Sequence, residues 1–294
     1  MPTRTTFTAF PLRGRETFAR RGGFPAMIIA IETRLLIRTE APTDMLLQYE
    51  AAAIPEQAIL RSTSEIGGAD RCARVAADED IGTRIWLTLD GEIEVRYRVE
   101  AEPRRMESDL AGLERLPARL LPAETIKYLF DSRYCQGDSF QSYAGAKFGD
   151  IARGGAKIAA MRDWIAENIV YAPGSSHAET TARDTFVERK GVCRDFAHVL
   201  ITMARASGIP ARYVAVYGPD VDPSDFHAVA EVFLADPATP DGGAWYLVDP
   251  TGMASAADAV KIGVGRDAAD VSFLTCFGTC DLAEKSVTVV RREA

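Results

Sequence analysis

The spacing of apolar residues changes once along this chain, and that change limits its possible folds more than any other feature. From Ile28 to about Glu102 the period is two. Ile29, Ile31, Thr33, Leu35 and Ile37 alternate with Glu32, Arg34 and Arg38, broken only by Leu36. Ile85, Leu87 and Leu89 resume the pattern, and after Asp90-Gly91 so do Ile93, Val95, Tyr97 and Val99, set among Glu92, Glu94, Arg96 and Arg98. Successive strand residues face opposite sides of a sheet, so this predicts an antiparallel β region with one wet face. Asp-Gly between alternating runs predicts a tight hairpin at 90–91, because both residues tolerate positive φ.

Beyond residue 150 the period becomes helical. Ile158, Met161, Ile165 and Ile169, with Trp164 beside them, form one stripe. Phe196, Val199, Leu200, Met203 and Ala204 form a stronger one, which stops at Gly208 with Pro210 just beyond. Strand-like runs follow at 211–217, 226–234 and 244–248. Helices followed by consecutive strands imply an α+β region on an antiparallel sheet. The expected division is 1–26 as a disordered tail or overcalled start, 27–105 as a β domain, 106–150 as a linker with short helices, and 151–294 as the region that carries chemistry.

Several function classes fall away. A formal charge of −8 and a pI near 5.1 argue against nucleic acid as partner, which needs a basic surface to displace counterions. No apolar run approaches the roughly 18 residues of a membrane span, so no membrane partner is expected. Five cysteines are too few and too odd in number for a disulfide framework, which points to a reducing, cytoplasmic setting. Cys276 and Cys280 have no second Cys/His pair nearby to close a zinc tetrahedron, and read as two small buried hydrophobes. No metal or cofactor is expected, and nothing indicates an oligomeric state.

Cys193 opens the second helix, where unpaired N–H groups and the positive dipole end favour a thiolate, with Arg189, Lys190 and Arg194 nearby. On position alone it is equally a nucleophile and an inert core cysteine. His227 lies in the run 226–234 on the face shared with Val229, Glu231 and Phe233, the more polar of the two. Asp249 ends the next run after a loop rich in Pro and Gly. Antiparallel pairing around that loop sets it opposite His227 or Val229, within reach of the imidazole. A carboxylate there fixes the tautomer and supports an imidazolium. His198, five residues after Cys193, points elsewhere on the helix and is expected to make a structural hydrogen bond. Asp195 is expected to shape the helix start. His177 lies in a loop that could border a cleft, and Glu231 could contact substrate or a neighbouring strand.

Gly191-Val192-Cys193-Arg194-Asp195-Phe196-Ala197-His198, ending in Gly208-Ile209-Pro210-Ala211-Arg212-Tyr213, resembles the nucleophile helix of the bacterial transglutaminase-like superfamily. That superfamily groups transglutaminases with cysteine peptidases and amidases on a papain-like fold. Its histidine block is similar to Asp225-Phe226-His227-Ala228-Val229-Ala230-Glu231-Val232, except that Val229 stands where a tryptophan is usual. Its aspartate block is similar to Trp245-Tyr246-Leu247-Val248-Asp249-Pro250-Thr251. The resemblance implies a papain-like core, with the nucleophile helix packed on an antiparallel sheet behind an amino-terminal β domain. It also implies Cys193, His227 and Asp249 as a catalytic triad acting on a peptide, protein or amide. Hydrolysis is favoured over acyl transfer to an amine, since transfer needs a second substrate site. The alternatives are a protein-glutamine acyltransferase, a non-catalytic peptide-binding module on the same fold, and a metal-dependent hydrolase.

Overall fold

The computed structural model describes residues 4–8, 27–67, 72–105, 108–239 and 242–293. The period-two region forms strands β1 (Arg4–Thr8), β2 (Met27–Leu47), β3 (Gln57–Gly67), β4 (Cys72–Ala76) and β5 (Thr83–Pro103). After short helical turns come α1 (Ala123–Ile126), α2 (Gln141–Phe148), α3 (Gly154–Asn168), β6 (Val170–Tyr171), α4 (Ala182–Glu188), β7 (Lys190–Gly191) and α5 (Cys193–Ala206). The chain ends through β8 (Ala211–Tyr217), β9 (His227–Ala235), β10 (Gly243–Val248), β11 (Val260–Gly265), β12 (Leu274–Cys276) and β13 (Asp281–Glu293).

A seven-stranded antiparallel sheet runs β1-β3-β5-β2-β12, with β13 also on β2 and β4 also on β5. Its alternation works as the sequence predicts. Ile29, Ile31, Leu35 and Ile37 are buried, while Glu32, Arg34 and Arg38 face water and pair across strands with Arg98, Glu94 and Glu92. The hairpin expected at Asp90-Gly91 does not form. β5 runs straight through it, and β2 lies alongside both halves, pairing Ile37 with Ile93 and Met45 with Leu87. The positive φ of Gly91 (98°) is used for an irregularity opposite residues 40–42 of β2 rather than for a chain reversal.

Further expectations change. Residues 4–8, expected to be tail, pair with β3; the rest of 1–26 lies outside the described residues. Cys276 and Cys280 are bonded to each other and partly exposed, not separate core hydrophobes. β12 and β13 return to β2, so the first sheet is built from both ends of the chain, and the expected span 151–294 does not follow the sheets at its end.

The second sheet is antiparallel in the order β10-β9-β8-β11. Helix α5 packs on its β9 and β8 strands. Phe196, Val199, Leu200 and Met203 meet Ala228, Ala230, Val232 and Leu234 in one core, and Ile158, Met161 and Ile165 of α3 close it from behind. The helix stops as expected: Gly208 has φ 69°, and the Ile209 N–H bonds back to Ala204 O at 3.0 Å. The two sheets share a second core, in which Tyr217, Val260 and Ile262 join Tyr49, Tyr97 and Leu47. No helix among the described residues is long and apolar enough to cross a membrane.

Candidate active site

The start of α5 is held by three local devices. Asp195 accepts a hydrogen bond from Val192 N at 2.8 Å and another from Ser176 Oγ at 2.9 Å, so it shapes the helix start as predicted. Gly191 permits this closeness, since a Cβ there would lie 2.7 Å from Asp195 Cβ. The short parallel pair β6–β7 then sets Tyr171 beside Gly191, with Ala172 N bonded to Gly191 O at 2.8 Å. Cys193 is thereby fixed as the first residue of a buried helix while its side chain stays partly accessible.

His227 is the first residue of β9. The strand is not half-buried as expected, because all of His227–Leu234 is buried. A small cluster of Val214, Val216, Val229, Ala259 and Val264 covers the second face. β9 pairs with β10 so that Val248 lies opposite Ala230. Asp249 therefore follows on the His227 face, diagonal to it, which is one of the two registers expected. The His227 Nε2–Asp249 Oδ2 distance is 2.8 Å, with both side chains buried. Asp249 is itself held by the Thr251 hydroxyl (2.7 Å), Thr251 N (2.8 Å) and Ala254 N (2.7 Å). The turn after Asp249 thus both ends the strand and orients the carboxylate.

The other ring nitrogen, Nδ1, is buried and has no conventional hydrogen-bond partner among the described residues; its chemical neighbour is the Cys193 thiol. Burial alone would lower the pKa of the imidazole. The hydrogen bond to Asp249, with charge attraction to Asp249 and to the adjacent Cys193, outweighs burial and raises it to about 9. Burial likewise opposes a charged Asp249, but His227, Thr251 and the Ala254 N–H hold its pKa below the usual carboxylate range. A carboxylate, a proton-holding imidazole and a thiol in line can move one proton off sulfur and later return it to a leaving group.

The structure separates the other candidates from this line. His198 is fully buried, accepts from Ala268 N at 3.2 Å and stacks on Tyr134 at 5.2 Å, and burial drives its pKa well down. His177 is exposed and bonds Thr180. Glu231 takes the neighbouring-strand option: Arg212 of β8 donates to it at 2.8 Å, and Lys261 of β11 pairs with it. Tyr171 was not foreseen. It lies beside Cys193, and burial with the adjacent sulfur raises its pKa to about 12. A two-residue parallel bridge leaves no periodic trace in a sequence, so nothing there pointed to it.

A cleft of about 500 Å³ opens over Cys193 and His227 and extends to Phe226, Phe273 and Lys285, where the two sheets meet. Among the described residues no group of three or more His, Cys, Asp or Glu is placed to hold a metal ion.

A family profile described as the transglutaminase-like superfamily matches residues 145–250, which include all three of Cys193, His227 and Asp249. The chain carries a transglutaminase-like core. A crystal structure from Cytophaga hutchinsonii, described as a candidate cysteine protease, superposes with a TM-score of 0.83 at 29% identity. The match covers 99% of this chain and 94% of that one, so the β domain is shared as well as the core. An uncharacterized protein of Mycobacterium leprae is 32% identical over 127 residues, 40% of this chain and 42% of its own. One from Mycobacterium tuberculosis is 33% identical over 117 residues, 36% of this chain and 37% of its own. The chain thus spans about two fifths of these curated relatives.

Proposed function

We propose that this chain is a thiol hydrolase of peptides or amides, with Cys193 as nucleophile, His227 as proton carrier and Asp249 as the group that orients His227. The observation that carries the reading is the buried, unpartnered Nδ1 of His227 beside the thiol, with Nε2 tied to Asp249. With the thiol's proton already held on His227 Nδ1, Cys193 Sγ attacks the carbonyl carbon. The tetrahedral oxyanion takes a hydrogen bond from the Cys193 N–H at the helix start, and the neighbouring Tyr171 hydroxyl is the candidate second donor. The C–N bond breaks, the imidazolium gives its proton to the leaving amine, and a thioester remains on Cys193. Water, deprotonated by His227, releases the acid and restores the thiol.

The description of the Cytophaga protein as a candidate cysteine protease supports this direction. So does the openness of the cleft, which admits water to the thioester. The Cys276–Cys280 bond favours oxidising surroundings over the cytoplasm. Intact-mass measurement on glutamine-containing peptides, with and without a primary amine, tests the reaction. Hydrolysis predicts a transient acyl mass on Cys193 and free acid formed at a rate independent of amine. Product found only with amine would replace hydrolysis by transfer, and turnover retained in Cys193→Ala would end the thiol reading.

A further inference from the structure

The cleft is chemically unequal along its length. Its lining includes three cations, Arg133, Arg194 and Lys285, against one carboxylate, Asp225, in a chain whose net charge is −8. Lys285 is already paired with Asp225 at 2.5 Å. Neither guanidinium forms an ion pair with a carboxylate of the described residues. Both lie on the ring of Tyr134, Arg194 at 4.4 Å and Arg133 at 5.0 Å from its centroid. Arg194 directly follows Cys193, and its head is held by neutral acceptors: His177 O at 2.7 Å, Ser176 Oγ at 3.4 Å and Thr180 O at 3.4 Å. Those bonds fix its position without cancelling its charge. The adjacent Asp195 is turned away to Val192 N and Ser176.

Beside His227, Phe226 stacks on Phe273 with ring centroids 4.7 Å apart, and the neutralised Lys285–Asp225 pair borders that wall, with Lys285 5.7 Å from the Phe273 centroid. Both guanidinium groups border the Tyr134 ring and line the same cleft, so a carboxylate there meets two positive charges not neutralised by an ion pair among the described residues.

Resting on the reading of Cys193 as nucleophile, we propose that the substrate bears a carboxylate bound by Arg133 and Arg194 and an apolar side chain lodged against Phe226 and Phe273. The carboxylate is that of an acidic side chain or of a peptide's C-terminus; the chemistry of capture is the same. A bidentate carboxylate on a pre-positioned guanidinium gives direction as well as attraction, and so selects which amide of a peptide reaches Cys193.

Labelling with iodoacetate and iodoacetamide tests this without knowledge of the substrate. The reagents differ chiefly by a carboxylate in place of a neutral amide, and each alkylates sulfur with loss of iodide. The expected result is a ratio of iodoacetate to iodoacetamide rates at Cys193 that falls roughly 3-fold in Arg133→Gln and again in Arg194→Gln. It should also fall with added salt. Arg133 is exposed, so its variant keeps the test valid if Arg194→Gln disturbs the loop at 176–180. An unchanged ratio in both variants overturns the inference while leaving the thiol enzyme intact, whereas no labelling by either reagent removes both. Protection of Cys193 by four matched peptides then names the source of the carboxylate. One pair carries Glu or Gln with an amidated C-terminus, and the other carries neutral side chains with a free or amidated C-terminus. The carboxylate peptide that protects best identifies the source, and equal protection by all four overturns the proposal.

Discussion

Two buried ionisable side chains stand four residues apart on one face of β9, and the fold treats them differently. Glu231 is saturated: Arg212 donates to one oxygen, Lys261 pairs with the other, and their attraction outweighs burial to lower its pKa to about 2. Its partners reach out again, Arg212 to Glu79 and Lys261 to Glu56, tying the second sheet to the first. His227 is left half-satisfied, with Nε2 bound to Asp249 and Nδ1 unpartnered beside a thiol in an open cleft. Buried polar groups are nearly always paired. A complete set of partners fits a structural Glu231; the vacancy on His227, unlike the one on His198 Nδ1, adjoins a thiol, and it is this that the proposed chemistry uses.

The largest effect that would break this contrast is expected from His227→Ala, which should lower turnover by about 10⁴-fold while the protein still unfolds cooperatively. A loss of structure comparable to the loss of activity would make His227 another Glu231. The converse variant, Glu231→Gln, should cost about 3–5 kcal/mol in denaturant unfolding, because it leaves two buried cations short of charge. Iodoacetamide labelling of Cys193 should persist in the folded fraction. Tyr171→Phe should reduce kcat by about 10²-fold with little change in KM if its hydroxyl serves the oxyanion. A rise in kcat would mean that the hydroxyl merely covers the thiol.

The smallest effect is on stability against pH. The folded pKa of His227, about 9, lies above its unfolded value of about 6.5. Its contribution is therefore fully present below pH 6.5 and lost as pH rises through about 9. Asp249→Asn should flatten that decline, as read from thermal unfolding between pH 6 and 9.5.

Much of the site was legible because each of its members is set by a local rule. Cys193 starts a strongly periodic helix, and the β9–β10 loop limits where Asp249 can stand, so a register within one step was enough. What was hidden depends on residues distant in sequence. The alternation of β9 suggested a wet face, but Val264 and Ala259 arrive from later in the chain to bury it. Asp90-Gly91 has the residues of a hairpin, yet β2 is long enough to pair on both sides of it, and the longer ladder prevails over the local turn preference. Tyr171 and the return of β13 to the first sheet rest on pairings between distant segments, which periodicity does not encode.

The central claim is that Cys193 and His227 act as a pair, and time-resolved iodoacetamide labelling at neutral pH in wild type and His227→Ala tests it directly. Burial raises the pKa of the Cys135 thiol to about 12, and burial also raises that of Cys72, so neither should compete. The account predicts a first adduct confined to Cys193 in the wild type, formed at least about 10-fold more slowly in the variant. Equal rates in the two proteins would contradict it.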